Sequence, residues 1–431
     1  MFRSRLVLIS TIGSLLVLGA CDAHTPSSLP ATAISEPQTA GAQSDTPPAT
    51  ETVLHSFGGP DGAGPPAGVI ADGKGGFFGA TIFGGTRGNG TVFQIKPKGD
   101  GTYTETVLYS ITGGSDGYRP VGGVAMDAHG ALYVSPLGGG NAGCFAGCGT
   151  VEKLTPGPKG YTETTIYRFN PSPDANQPVG TPVVDSSGAI YGVAQSGGLT
   201  GNGAVFELAP SKSGYTESVI YSLPGGAGGY APQSGLSIDA HGNIYGEATS
   251  GGLQNRRCSG GCGVIFELER SGSTFTPLTI YRFDGADGDY PDAPVTPDSA
   301  TGVIYGTTQY GGVWVDGVVF ALVPSHGTYS ETVIHAVPKG VQSGVFMSPM
   351  LLTKSGTLYG TTFLRGRRMQ RLRLRGDFPG NEERYGLHVR HRVSLRQPAQ
   401  RRRYGKYDTD SRCARCDLWN DAVGRNANRM L

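Results

Sequence analysis

Cysteines, clustered aspartates and a recurring tyrosine are the residues of this chain best placed for chemistry. Cys144 and Cys148 share one Gly-rich loop, and Cys258 and Cys262 share another. In an oxidising compartment two thiols this close in one loop are expected to form a local disulfide. A zinc site would need about four ligands, and neither loop has a histidine near it. Asp284, Asp287, Asp289 and Asp292 supply carboxylate oxygens of the kind calcium takes. Their spacing is not that of an EF-hand; calcium at these four is the one metal kept as a candidate, and otherwise no cofactor is expected. His129 and His241 occupy the same Asp-Ala-His-Gly turn in two separate stretches, so they are expected apart and in solvent. Tyr133, Tyr191, Tyr245, Tyr305 and Tyr359 recur in one column. They are expected to pack inside the fold, a stacking surface for sugars being the alternative. His-Glu-x-x-His and the P-loop are absent from the sequence, and no catalytic residue is assigned.

The elements that must position these residues begin after an address. Arg3 and Arg5 precede an apolar run from Leu6 to Leu18, too short to span a bilayer comfortably but suited to a signal peptide over residues 1–20. It ends in Leu18-Gly19-Ala20-Cys21, which resembles a lipobox and makes Cys21 the expected lipidated N-terminus. Residues 21–50 are rich in Thr, Ala, Pro and Ser and almost free of aromatics, a solvated tether.

One phrase then recurs at residues 51, 105, 163, 217, 277 and 331, with spacings of 54, 58, 54, 60 and 54 residues. It reads ETVLHSF, ETVLYSI, ETTIYRF, ESVIYSL, PLTIYRF and ETVIHAV. Each copy holds four short runs of Val, Ile, Tyr, Phe and Thr, the residues of strands. In copy two they are 123–126, 131–134, 149–154 and 161–169. Turns such as Asp127–Gly130, Asp185–Gly188 and Asp239–Gly242 join them, Asp bonding its own backbone and Gly accepting positive φ. With 71 Gly and 29 Pro in 431 residues, long helices are excluded. Four strands per copy predict an all-β fold, a β-propeller of about six four-stranded blades over 51–363, with Glu51–Phe57 as a leading fourth strand and an incomplete seam blade. A right-handed β-helix is the alternative, though its coils are shorter. The Cys loops are insertions that lengthen copies two and four.

The wording of the repeat is recognisable. Tyr305–Thr308 before Gly311-Gly312, Tyr359–Thr362, Gly90–Phe93 with Ile95 and Pro97, and the Asp61-Gly62 and Asp116-Gly117 turns resemble the GloVer (Gloeobacter/Verrucomicrobia-type) tandem repeat over 51–362. The resemblance implies a secreted or surface protein with varied anchors and no established activity.

After Phe363 the repeat stops. Residues 363–431 carry 18 Lys+Arg and 7 Asp+Glu, leaving 17 and 27 for residues 1–362 out of 35 and 34. The repeat region is therefore acidic, which argues against nucleic acid. A basic tail is one reading of 364–431. A frameshift is the preferred one: plausible GC-rich codons for Gly366–Tyr385, read one nucleotide later, permit a Cys loop and an apolar strand in repeat order. On that reading the C-x-x-C of Cys413 and Cys416 carries no meaning, and 364–431 is expected to be disordered.

These readings converge on a lipid-anchored monomer of the cell envelope, periplasmic or at the cell surface, contacting the membrane through its anchor. The expected role is a binding or scaffold module for a glycan or protein. A carbohydrate-active enzyme, glycosidase or polysaccharide lyase, is the alternative and would need convergent carboxylates at one pole.

Overall fold

The computed structural model describes residues 53–337, 344–346, 349–364 and 370–375, with 344–346 and 361–375 described as backbone only. The expected signal peptide, Cys21, the tether and Cys413 and Cys416 lie outside the described residues. Five antiparallel sheets of four strands follow one another, each a meander; in the second, Pro136–Gly138 leaves the path between the second and third strands to pair with Tyr118–Pro120. Blade 1 comprises Ile70–Ala71, Phe77–Thr81, Thr91–Pro97 and Tyr103–Ser110. Blade 2 comprises Ala125–Met126, Leu132–Val134, Thr150–Gly157 and Gly160–Arg168, and blade 3 Ala175–Val184, Ile190–Gly197, Ala204–Ser211 and Gly214–Ser222. Blade 4 comprises Ser237–Ile238, Ile244–Ala248, Val264–Ser271 and Thr274–Arg282, and blade 5 Thr296–Pro297, Ile304–Thr307, Val318–Ser325 and Thr328–Ala336. This is the β-propeller that the repeat predicts.

Strand sequence follows strand position. The second and third strands are buried on both faces, as in Thr91–Ile95 and Ala204–Phe206, and read as continuous apolar runs. The fourth strands alternate exposed and half-buried residues, as in Tyr103–Val107. Apolar cores lie between neighbouring blades: Tyr191, Leu236, Ile244 and Phe266 join blades 3 and 4, and Tyr245, Phe283, Ile304 and Phe320 join blades 4 and 5. A close approach explains the Tyr-Gly pair on the second strand. Gly192, Gly246 and Gly306 face Phe206, Phe266 and Phe320 across the ladder. A Cβ at those glycines would lie 2.3, 2.4 and 2.3 Å from the ring tip, so the ring lies flat on bare backbone. Copy two changes both partners at once, pairing Val134 with a fully buried Glu152.

Two expectations are corrected. Of the leading segment, the described Val53–Phe57 joins no ladder, because no third strand of its own sheet is offered to it among the described residues. Phe57 nevertheless packs on Phe93 at 5.0 Å, as Phe169 does on Phe206 at 4.8 Å. The tail is not structureless throughout. Thr357–Leu364 pairs with Gly344–Phe346 and Leu351–Leu352 on one edge and with Gln370–Arg375 on the other, so a sixth sheet acquires a further strand. The run Gln-Arg-Leu-Arg-Leu-Arg alternates apolar and charged residues with the period of a strand, and that local pattern outweighs the Arg-rich composition.

Candidate functional site

In a four-stranded meander the loop joining strands two and three and the crossing loop that enters strand one lie at the same end of the sheet. Backbone pairs tie them together: Ala63 N–H donates to Phe83 O at 2.8 Å, Tyr230 to Ser250 O at 3.0 Å and Asp289 to Tyr310 O at 2.9 Å. The crossing loops into blades 1, 2, 3 and 5 are each closed by an aspartate. Asp61 accepts from Gly58 N–H at 2.7 Å, Asp116 from Thr112 N–H at 2.7 Å, and Asp174 from Asn170 N–H at 2.9 Å. The fourth-strand tyrosine of the preceding repeat phrase donates to the same carboxylate, Tyr109 to Asp116 at 2.6 Å, Tyr167 to Asp174 at 3.0 Å and Tyr281 to Asp287 at 2.5 Å.

The crossing loops also staple each blade to the one before it. Arg119, Gln177, Ala231 and Tyr290 adopt positive φ of 58°, 57°, 54° and 60° although none is glycine, a sparsely populated conformation. Their N–H groups donate to the two-three loops of the preceding blades, at Asn89 O, Cys148 O, Asn202 O and Cys262 O, over 2.9, 2.7, 3.1 and 3.1 Å. A proline follows each and stacks on a glycine of that loop. At Gly149 and Gly263 a Cβ would stand 2.3 and 2.4 Å from the Pro178 and Pro291 rings. The Cys144–Cys148 and Cys258–Cys262 disulfides form, with Cα separations of 5.0 and 5.2 Å. Each thus fixes the cysteine whose carbonyl accepts a staple bond.

On this rigid base the two-three loops present large apolar side chains to solvent. Phe145 is 88% exposed, Leu199 85% and Val313 79%, with Phe83, Leu253, Tyr310, Trp314 and Val315 also exposed. They stand on the equivalent two-three loops of the blades, so they gather at one pole. Arg119 lies over the Phe83 ring at 5.5 Å, and Arg256 is exposed beside the second Cys loop. Aromatic and arginine side chains on a fixed backbone can stack on a ligand with little ordering cost. The sequence reading missed these residues; the available signal was an apolar residue beside the Gly-Gly pair, after it at Leu199, Leu253 and Val313 and before it at Phe83 and Tyr310.

The acidic candidates are used individually. Asp284 accepts from Ala286 N–H at 2.7 Å, Asp287 from Asp284 N–H at 2.8 Å, and Asp292 from Gln309 Nε2 at 3.4 Å. Burial raises the Asp289 carboxyl to about 6 and Asp292 to about 7. The four do not converge. Among the described residues, the trios of ligating atoms within 4.8 Å of one another are Cys258, Cys262 and Asp289, whose sulfurs are tied in the disulfide, and His55, Asp61 and Glu105. Glu247 also departs from the repeat and faces blade 5, as does Tyr245 two residues earlier on the same strand. It is 1% exposed, accepts from Ser234 N–H at 3.1 Å, and burial raises its carboxyl to about 8, with Asp292 adding to the shift. It is out of reach of a substrate. His129 and His241 are exposed on separate turns. Tyr133, Tyr191, Tyr245 and Tyr305 are buried, and the first three donate to turn aspartates Asp127, Asp185 and Asp239 at 3.0, 3.3 and 3.1 Å. These four offer no stacking surface; Tyr359, the fifth of the column, is 38% exposed, against the expectation that it packs inside.

Among the described residues no helix is long and apolar enough to cross a membrane, and the two disulfides belong to an oxidising environment outside the cytoplasm. The chain path is similar to those of a gluconolactonase from Xanthomonas campestris (16% identity, 70% of this chain and 84% of that one, TM-score 0.42) and of a protein from Bacteroides uniformis named as a 6-phosphogluconolactonase (12% identity, 75% and 83%, TM-score 0.48). No residue role is carried over from either. A search of curated proteins finds no match. A family model covers residues 141–370, more than half of the chain, and by that match the protein belongs to the Gloeobacter/Verrucomicrobia repeat family.

Proposed function

We propose that the protein is a binding or scaffold module of the cell envelope, held by a lipid on Cys21, whose loop pole receives a glycan or a protein. The observation that carries this reading is the gathering of exposed Phe145, Leu199, Val313 and Trp314 on equivalent loops of one pole. Exposed apolar groups gathered on one face mark interaction sites, whereas scattered ones do not. The stapled crossing loops and the two disulfides support it, because a surface fixed in advance loses little entropy on binding. A glycosidase or lyase would need carboxylates in contact with the sugar. The symmetry-breaking Glu247 is buried, which favours binding over hydrolysis.

A glycan array probed with the wild-type protein and with a Phe145→Ala/Trp314→Ala variant tests the reading. Binding should fall about tenfold or more in the variant, since one anchoring aromatic is typically worth 2 kcal/mol or more, while the thermal midpoint stays put. A variant that binds as tightly as wild type, or turnover in a parallel hydrolase and lyase screen, refutes it.

A further inference from the structure

We propose that His55, Asp61 and Glu105 form a binding site for one divalent transition-metal cation of the zinc class, clipping the leading segment to blade 1. The column that contains His55 holds Tyr109, Tyr167, Tyr221 and Tyr281 in the next four copies and His335 in the sixth, where residues 338–343 include no aspartate to face it. Where the loop aspartate is present, the tyrosine serves as a donor to it. Imidazole in that place has a lone pair to give to a metal. His55 Nε2 lies 2.9 Å from Asp61 Oδ2, and a carboxylate oxygen of Glu105 lies within 4.8 Å of both. Glu105 projects from the fourth strand of blade 1, and its Oε1 is buried without a hydrogen bond. Asp61 Oδ1 is held by Gly58 N–H at 2.7 Å, which leaves Oδ2 turned to the trio, the outer-shell support that ligating carboxylates need. The His55 ring is steadied by an edge contact with Phe57 at 4.8 Å.

One nitrogen and two carboxylate oxygens suit zinc better than calcium, which takes six or more oxygens. The two negative charges match a dication. Side chains of His55 and Asp61 remain 22% and 26% exposed, so water can complete a tetrahedron. Ligand atoms each about 2.0–2.2 Å from zinc stand roughly 3–3.5 Å apart, and small side-chain rotations bring the trio to that spacing. The three ligands come from the leading segment, the crossing loop and a blade strand. In copies two to five the corresponding tyrosine sits on a strand paired to its own third strand, as Tyr109 pairs with Val92 and Tyr167 with Val151. Val53–Phe57 has no such ladder, and the metal would supply the missing tie.

The test uses the full chain, stripped with a chelator and titrated with zinc chloride, alongside His55→Tyr and Glu105→Gln. His55→Tyr restores the residue of the neighbouring copies, a donor to the same aspartate, so the variant keeps the fold. Wild type should bind one more zinc than His55→Tyr, and zinc should raise its thermal midpoint by about 2–4 °C at saturation. Glu105→Gln should weaken that zinc about tenfold or more. Equal zinc uptake by wild type and His55→Tyr, or equal shifts in midpoint, shows that the trio is only an ion pair and overturns the proposal. Calcium giving the same shift as zinc overturns the assignment of metal class.

Discussion

Glu152 occupies the place that phenylalanine holds in the third strands of the other complete blades, and its acidity should be among the largest single contributions to how stability depends on pH. Both carboxyl oxygens are buried without a hydrogen bond. Burial, together with the Glu163 carboxyl beside it, raises its pKa from 4.5 to about 9. In the unfolded chain the group ionises near 4.5, whereas in the blade it keeps its proton up to about 9. Over that window the folded state holds the extra proton. The stabilising contribution is therefore complete below 4.5 and is lost as the pH rises through 9. The slope is about 1.4 kcal/mol per pH unit, so roughly 4 kcal/mol goes between about pH 5 and pH 8 from this side chain alone. Glu152→Gln keeps the shape of the protonated acid and removes the titration. Urea unfolding at the two pH values should show the variant close to wild type at the lower one and more stable by about 3–4 kcal/mol at the higher one. If the difference between wild type and variant changes by less than about 1 kcal/mol across that range, the carboxyl is not held in its protonated form and the reasoning fails.

Glu152→Phe alone should destabilise by about 1–3 kcal/mol, because the ring needs bare backbone opposite it; adding Val134→Gly should recover that loss, and a double-mutant cycle by denaturant unfolding measures the coupling. Gly246→Ala should cost about 1–3 kcal/mol, since its Cβ would stand 2.4 Å from Phe266 Cζ and 2.9 Å from Leu236 Cδ2; its thermal midpoint is the check. Reducing the two disulfides, each linking cysteines four residues apart, should leave the global midpoint little changed. It should instead speed hydrogen exchange at the Gln177 and Tyr290 amides, whose acceptors are the Cys148 and Cys262 carbonyls. Exchange that speeds equally at Ala231, whose acceptor is Asn202 O, would show that the disulfides do not act through the staples.

The blades were legible because the repeat states the same local rules several times. Asp127–Gly130 illustrates this: Asp127 Oδ1 accepts from His129 N–H and Ala131 N–H at 2.9 Å each, and Gly130 has φ 80°, the conformation its type predicts. The local disulfides were legible for the same reason, since spacing within one loop fixes the partner. What escaped was set by contacts between copies. The positive φ of Gln177 and Tyr290 before proline runs against local preference and is held by bonds to another blade. Exposure of Phe145 and Trp314 depends on which loop end meets solvent, and the strand Gln370–Arg375 depends on an open edge beside Thr357–Leu364. No window of sequence contains those neighbours.

Departures from the repeat divide into two kinds, and the division locates chemistry. Packing departures come in facing pairs. Val134 and Glu152 replace Gly and Phe together, and the crossing loop with Gly228 in place of aspartate goes with Pro277 in place of the fourth-strand glutamate. Where the aspartate is kept the glutamate is kept beside it, Glu217 by Asp174 and Glu331 by Asp287, each carboxyl raised by burial and by its acidic neighbour to about 8 and about 7. A change forced by packing therefore alters both partners, because a filled interior cannot absorb one alone. His55 breaks that rule: it replaces tyrosine while Asp61 and Glu105 keep the repeat residues. The frame is retained and only the donor atom is new. The exposed loop residues Leu199, Leu253 and Val313 also vary without a compensating change in the stapled glycines Gly203 and Gly263. Single substitutions on a frame that the copies otherwise keep are what a ligand site would leave behind, and those at the trio and at the loop pole support the two proposals.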